Sequence, residues 1–390
     1  MSKKNKIKVL WIFPDNRTCP VLKRYKALNG LIALPCTLRE AISLLRTKKT
    51  KERIELHSLL HKFKFDKHSK LNKEFLKNNK IHILENKKDA CHFIKKTIED
   101  NKIEIVHLHT NMIYVDEVIK IKEKKNISVM ITLYGYEIYK LKSEFGLKGR
   151  RYWDKGYEKY FQSIANRVDL FIPLSKWQAK FLHDFKLDFK NKIKVLHNGV
   201  NTNEFYPLTN QRKSKGIVVF SYKRTIKTFE AAKTVIERMP DVLFIMLGKD
   251  TPKENKLLDN LRIRDRFKFI DFIKPEKMNE AINNADIILH PSWAEGCSNF
   301  VLEAMSCGKP IIGSKDCGID EEMIDGKSGI LINQFDSEDI SKAIIKLGKS
   351  KKLRQKLGKN ARKRVFTKFT DTKKSLGYLK CYESLVNQKC

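Results

Sequence analysis

The 390-residue sequence predicts an α/β protein made of two similar lobes facing each other across a cleft. Three observations lead there. Short apolar runs alternate with amphipathic helical patterns along the whole chain, which marks mostly parallel sheets with helices between their strands. The length suits two domains, or three, at roughly 150 residues each. One polar interruption, Asn198 to Lys215, contains Asn-Gly, Pro207 and the cluster from Thr209 to Lys215, and it divides the pattern near its middle.

In order, the first half offers strands at Lys8–Phe13, Ile54–Leu59, Ile81–Leu84, Ile103–His107, Val129–Leu133, Leu170–Leu174 and Ile193–Leu196. Helical spacing separates most of them, at Leu38–Leu45, Ala90–Glu99, Val115–Ile121 and Trp177–Phe185. The second half repeats the alternation, with strands at Ile217–Phe220, Val242–Leu247, Phe267–Ile270, Ile287–His290, Pro310–Gly313 and Gly329–Ile332. Its helices are expected near Thr228–Arg238, Met278–Asn284, Phe300–Ser306 and Ser337–Leu347. The expected division is a domain over 1–200, a linker over 201–215, a domain over 216–370 and a last helix over 371–390. Open α/β sheets take ligands beyond the carboxyl ends of their strands, so chemistry is sought in the loops that follow strands.

Composition excludes several classes. With 41% hydrophobic and 10% aromatic residues, the chain can bury real cores and is not a disordered polycation. No apolar run approaches the ~18 residues of a membrane span, and the stretch from Ile7 to Pro14 is too short for a signal peptide. It reads as a first strand. The eight cysteines form no CxxC pair, and the even spacing of Cys297, Cys307 and Cys317 matches no zinc pattern. All eight are expected as free thiols in a reducing, cytoplasmic compartment.

The net charge of +35 is unevenly spread. Residues 1–200 carry +23 and residues 351–390 carry +11, while residues 251–350 are slightly acidic. Such a surface favours phosphates, nucleic acid or anionic lipid heads. Alternatively, Lys- and Asn-rich usage reflects an AT-rich genome. No RNA-recognition or zinc-finger signature and no basic helix with base-reading spacing is present, so no nucleic acid partner is expected.

The most informative stretch is Ile287–Gly308, IILHPSWAEGCSNFVLEAMSCG. A strand ends at His290, a loop carries Glu295 and Gly296, and a helix starts near Ser298. Free backbone N–H groups at Ser298, Asn299 and Phe300, together with the helix dipole, make an anion site. Gly296 lets the backbone approach a phosphate. Glu303, a turn into the helix, can accept paired hydrogen bonds from vicinal hydroxyls such as those of a ribose. Glu295, on the loop, can reach a second polyol.

Glu295-x7-Glu303, with Ala304, Met305, Gly308 and Pro310, resembles the donor-site motif of GT-B glycosyltransferases of the GT4 type (glycosyl transferases group 1), which are retaining enzymes. Val195–Asn201 with Phe205 and Pro207, Ser175 after its strand, Ile105 to His109, and Asp316 to Gly329 also resemble the family, so the likeness runs through roughly residues 100–365. It implies a GT-B fold of two Rossmann-like domains, acceptor-side first and donor-side second, with the last helix returning to the N-terminal domain. It implies a nucleotide-diphosphate sugar as co-substrate, a glycan or lipid-linked hydroxyl acceptor, and no resident cofactor. No Asp-x-Asp triplet occurs, so a metal-dependent GT-A site is not expected.

Carried over residue by residue, the resemblance gives Glu295 to the sugar and the helix start (Gly296, Ser298, Asn299, Phe300, Val301) to the diphosphate. Glu303 goes to the ribose. The family's Arg/Lys pair, which stabilises the departing diphosphate, falls on Arg224 and Lys227, with Lys223 an equally spaced alternative to Arg224. Two features depart from the family. Phe13-Pro14-Asp15-Asn16-Arg17 replaces a Gly-rich turn, and Tyr134-Gly135 stands where relatives tend to carry His-Gly. Tyr134 can donate a hydrogen bond to a sugar hydroxyl. His109 either compensates for the missing His or is a structural hydrogen-bonder. A front-face mechanism, in which the departing phosphate takes the acceptor proton, tolerates the change, and a GT-B-like protein without activity is the other reading. The basic tail implies peripheral attachment to an anionic membrane at its cytoplasmic face.

Overall fold

The computed structural model describes residues 6–12, 40–61, 79–84, 89–109, 114–134, 162–184, 192–209 and 216–388. They fall into two compact units, Met1–His197 with Asp371–Cys390, and Asn198–Thr370.

The first unit holds β1 (Ile7–Ile12), α1 (Lys48–Arg53), β2 (Ile54–His61), β3 (Lys80–Leu84), α2 (Ala90–Asn101), β4 (Ile105–His109), α3 (Val115–Lys122), β5 (Ser128–Leu133), β6 (Leu170–Pro173) and α4 (Lys176–Asp184). Its six strands are all parallel, in the order β3-β2-β1-β4-β5-β6. β1, IKVLWI, is apolar at both parities because helices cover both faces of a parallel sheet. Leu10, Ile12, Val106 and Leu108 pack on one face with α2 and α3. Val9, Trp11, Ile105 and Met130 pack on the other. That second face is closed by Tyr378, Leu379, Tyr382 and Leu385 of the helix Asp371–Asn387.

The second unit follows with β7 (Val218–Ser221), α5 (Ile226–Arg238), β8 (Leu243–Leu247), α6 (Pro252–Leu261), β9 (Phe267–Ile270), α7 (Met278–Asn283), β10 (Ile287–His290), α8 (Asn299–Ser306), β11 (Ile311–Ser314), α9 (Ile319–Glu322), β12 (Ile330–Ile332), α10 (Ser337–Lys349) and α11 (Lys351–Lys368). The helix that rejoins the first unit is α12 (Asp371–Asn387). The second sheet runs β12-β11-β10-β7-β8-β9, the same winding as the first. In both, the order reverses between the first strand and the fourth, which is the topological switch of doubly wound sheets. Residues 198–209 are built into the second unit. The Asn198 amide donates to the Cys297 carbonyl at 2.8 Å, and the Leu208 N–H to Asn283 at 3.0 Å.

Some elements differ from expectation. Ile193–Leu196 forms no full seventh strand, but it runs along the β6 edge: besides the bridge from Phe171 to Ile193, Phe171 N–H donates to the Lys192 carbonyl at 2.7 Å, Lys194 N–H to that of Phe171 at 2.9 Å and Leu196 N–H to that of Pro173 at 3.1 Å. β4 starts two residues late because Lys102 turns left-handed (φ 52°) to end α2, and Ile103 is spent on the connection. Three helices differ from expectation: α9 (Ile319–Glu322) lies in the Asp316–Gly329 stretch read as a loop, and α1 and α6 fall where no helix was expected. α1 buries only Thr50 and has no apolar stripe, and α6 buries only Leu258 and starts from a capping box of Thr251 with Glu254. The Phe13–Arg17 turn lies outside the described residues, as do Leu38 and Arg39 of the first expected helix. Cys91, Cys297, Cys307, Cys317 and Cys381 are free thiols, while Cys19, Cys36 and Cys390 lie outside the described residues. Among the described residues no helix is long and apolar enough to cross a membrane.

Candidate active site

β10 is fully buried between β11 and β7 and delivers its carboxyl end to the loop that precedes α8. The helix starts where it does because Ser298 is extended (φ −84°, ψ 113°) and its hydroxyl accepts the Val301 N–H at 3.4 Å. Phe300, Val301, Leu302, Ala304 and Met305 anchor α8 in the core, leaving Asn299 and Glu303 half-buried. The Asn299 and Phe300 N–H groups stand in the first turn, where a helix offers donors to an anion. The Ser298 N–H is taken by the buried carboxylate of Glu322, from α9.

Glu295 and Lys223 are 72 positions apart, yet Lys223 Nζ lies 3.9 Å from Glu295 Oε1. The fold explains it: β7 and β10 are neighbours at the switch point, and the two residues sit just beyond their carboxyl ends. Ser292 donates its hydroxyl to Glu295 Oε1 at 3.1 Å, and His290 Nε2 lies 3.4 Å from the same oxygen. Burial pushes the Glu295 carboxyl up, but the His290 hydrogen bond, the Lys223 charge and Ser292 outweigh it and hold it below the usual carboxylate range. The site therefore keeps a fixed negative charge against a cation. The loop is also pinned through its backbone. Gly318 N–H donates to the Glu295 carbonyl at 2.8 Å, and a Cβ at Gly318 would sit 1.8 Å from the Gly296 carbonyl oxygen. Only glycine allows that approach.

Of the two cations weighed for one role, Lys223 and not Arg224 stands beside Glu295. The Arg224 guanidinium donates to Glu254 at 2.7 and 3.2 Å, to the Leu247 carbonyl at 2.7 Å and to the Lys249 carbonyl, with its plane over Phe269. Its donors fasten the turn from β8 into α6. Lys227, in the first turn of α5, pairs with Glu230 at 2.7 Å on a half-exposed surface. Tyr222 stacks on Phe300 with centroids 5.0 Å apart, closing the floor between β7 and α8.

In the first unit, His109 ends β4 and Tyr134 follows β5, both at the sheet's carboxyl edge. His109 is wholly buried, 4.0 Å from the Trp11 ring, with Nδ1 3.1 Å from the Tyr134 hydroxyl. Burial, then His107 and Lys374, push its pKa well below the usual value, so it is neutral. A buried neutral imidazole hydrogen-bonded to a phenol suits a structural role. Tyr134 donates to Glu40, whose other oxygen pairs with Lys374 Nζ at 2.6 Å. Gly135 lies outside the described residues. Sequence reasoning missed Ser292, Glu322, Glu40 and Lys374 as partners. Ser292 sits in the quoted motif and was within reach, whereas Glu40 and Lys374 are 334 positions apart and share no local signal.

Residues 217–364 match the family described as Glycosyl transferases group 1, and residues 81–204 match Glycosyltransferase Family 4. An uncharacterized glycosyltransferase of Methanocaldococcus jannaschii is 28% identical over 288 residues, which is 69% of this chain and 70% of that one. Among solved structures, sucrose-phosphate synthase from Thermosynechococcus elongatus is similar with a TM-score of 0.76 at 16% identity, over 98% of this chain and 100% of that one. Anabaena HepE, in complex with UDP and glucose, gives 0.70 at 13% identity over 97% and 100%. These structures share the α/β two-domain GT-B fold. Two family matches, one on each side of the 205–216 gap, fall on a doubly wound pair of sheets with Glu295 and Lys223 at the second switch point. The chain belongs to the glycosyl transferases group 1 family, of the GT4 type, and is a glycosyltransferase.

Proposed function

We propose that the chain moves a hexosyl-type group from a nucleotide-diphosphate sugar to a hydroxyl of a glycan or lipid-linked acceptor, with retention and without a metal ion. The observation that carries this reading is the ionised Glu295 carboxylate held beside Lys223 at the start of α8. As the bond from the anomeric carbon to phosphate oxygen breaks, the departing diphosphate gains negative charge. Lys223, Lys227 and the first N–H groups of α8 stabilise that charge. Glu295 orients the sugar, and Glu303 accepts from the ribose hydroxyls. The acceptor oxygen bonds to the anomeric carbon on the face the phosphate leaves, and its proton passes to the leaving phosphate oxygen. The likeness to a protein solved with UDP and glucose supports a UDP-sugar as donor.

The membrane-side reading rests on α11. Its inner side buries Leu357, Gly358, Ala361 and Val365, while Lys352, Lys356, Lys359, Lys363, Lys368 and Phe366 are exposed. A basic helix face with an exposed aromatic suits an anionic membrane surface at the cytoplasmic face.

A thermal-shift screen against UDP-, GDP- and ADP-sugars tests the donor, because donor binding stabilises the fold by mass action. Glu295→Ala and Lys223→Ala are expected to lower turnover of the donor so found by about 10²-fold. Wild-type turnover in Glu295→Ala would sink the site assignment. Co-sedimentation with liposomes should rise with anionic lipid content, and indifference to it would count against the membrane reading.

A further inference from the structure

The first unit holds a buried charge pair that its fold alone does not require. Lys374, on the first turn of α12, is 5% exposed and Glu40 is 10% exposed, with Nζ 2.6 Å from Oε1. Two more contacts tie the same helix turn to the segment around Glu40: Ser375 to Ser43 at 3.1 Å and Arg46 to Asp371 at 3.4 Å. Taking two charges out of water costs several kcal/mol each, and well-packed apolar residues in such places are often as stable or more so. The pair therefore calls for a role beyond holding α12 down.

What it holds is the Tyr134 phenol. The hydroxyl donates to Glu40 Oε2, and the Lys374 ammonium lies 5.8 Å from the ring centroid. A phenol has one proton. Since it goes to Glu40, the 3.1 Å contact with His109 needs the proton on His109 Nδ1. Both the orientation of the ring and the direction of its hydrogen bonds are thus set from behind. Tyr134 is only half-buried, one residue past the carboxyl end of β5. Open α/β sheets receive ligands at that edge. The groups assigned to the donor all belong to the second unit, so the ligand left for this edge is the hydroxyl acceptor.

We propose that Glu40 and Lys374 are positioning residues that hold the Tyr134 oxygen so that it accepts a hydrogen bond from the acceptor hydroxyl. The inference rests on the glycosyl-transfer reading above. With its own proton committed to Glu40, the phenol oxygen meets the substrate O–H as an acceptor and fixes that hydroxyl's direction.

The test uses the full chain with UDP-glucose as donor and octyl β-glucoside as acceptor probe, comparing Tyr134→Phe, Glu40→Leu and the charge-free pair Glu40→Leu/Lys374→Met. Each is expected to lower kcat/KM for the acceptor roughly tenfold, with UDP affinity unchanged. Tyr134→Phe added to Glu40→Leu should cost little further, because each already removes the hydrogen bond that fixes the phenol. Tyr134→Phe removes one oxygen and keeps the ring, which guards against a variant that does not fold. Full transfer by Tyr134→Phe, additive losses in the double variant, or a parallel fall in UDP affinity would overturn the inference. A wild-type protein that neither binds nor turns over UDP-glucose would overturn the donor reading and this inference with it. That outcome is told apart by the wild-type control alone.

Discussion

Glu322 is a buried carboxyl bound to the head of α8. It accepts the Ser298 N–H there and is wholly buried. Burial, and then the Glu295 charge, push its pKa well above the usual value. A raised folded pKa gives stability that is fully present below the unfolded value, near 4.5, and lost as pH rises toward the folded one. Glu322→Gln keeps the accepting oxygen and removes the titration. It is expected to be more stable than wild type at pH 7.5 and equal to it near pH 4 (about 4, below the unfolded pKa), as urea midpoints at the two pH values will show. At this scale the sequence was read unevenly. Glu295 and the α8 start were legible because one short motif contains strand end, loop and cap. Arg224 and Lys223 were not separable, since adjacent residues in a turn point to different neighbours, and only the fold puts Glu254 beneath one and Glu295 beside the other.

At the scale of elements, α12 is the clearest case of a helix placed by polar groups as well as apolar ones. Trp11 Nε1–H donates to the Tyr382 hydroxyl at 2.9 Å, and the same hydroxyl lies 2.8 Å from His107 Nδ1. His107 Nε2 continues to Thr132 at 2.8 Å, which lies 3.3 Å from the Tyr378 hydroxyl. Tyr382→Phe strands the buried Trp11 and His107 groups and is expected to cost about 1–3 kcal/mol, read as a lower urea midpoint with an unchanged slope. Ser298→Ala should cost about 1 kcal/mol through the lost α8 cap, by the same measurement. Strand positions were legible to within two residues because parallel strands buried on both faces read as unbroken apolar runs. α1 and α6 were not, since each buries a single side chain and depends on its cap.

For the whole molecule, the two units carry sheets of one winding, and the groups proposed for the donor all lie in the second. Hydrogen exchange should register that division. UDP is expected to slow exchange mainly in peptides from 218–332, and protection centred instead on 105–133 would contradict it. The division also reinterprets the charge of +35. The stretch that holds Glu295 is the slightly acidic one, so the basic excess belongs to surfaces other than the donor site.

The return of α12 to the first sheet has a consequence in time. A chain leaving the ribosome has all of the second unit once residue 370 has emerged, whereas the first unit's Trp11 still lacks Tyr382. The half that is made first is therefore finished last. During synthesis, one face of its sheet stays uncovered until residues 371–387 emerge.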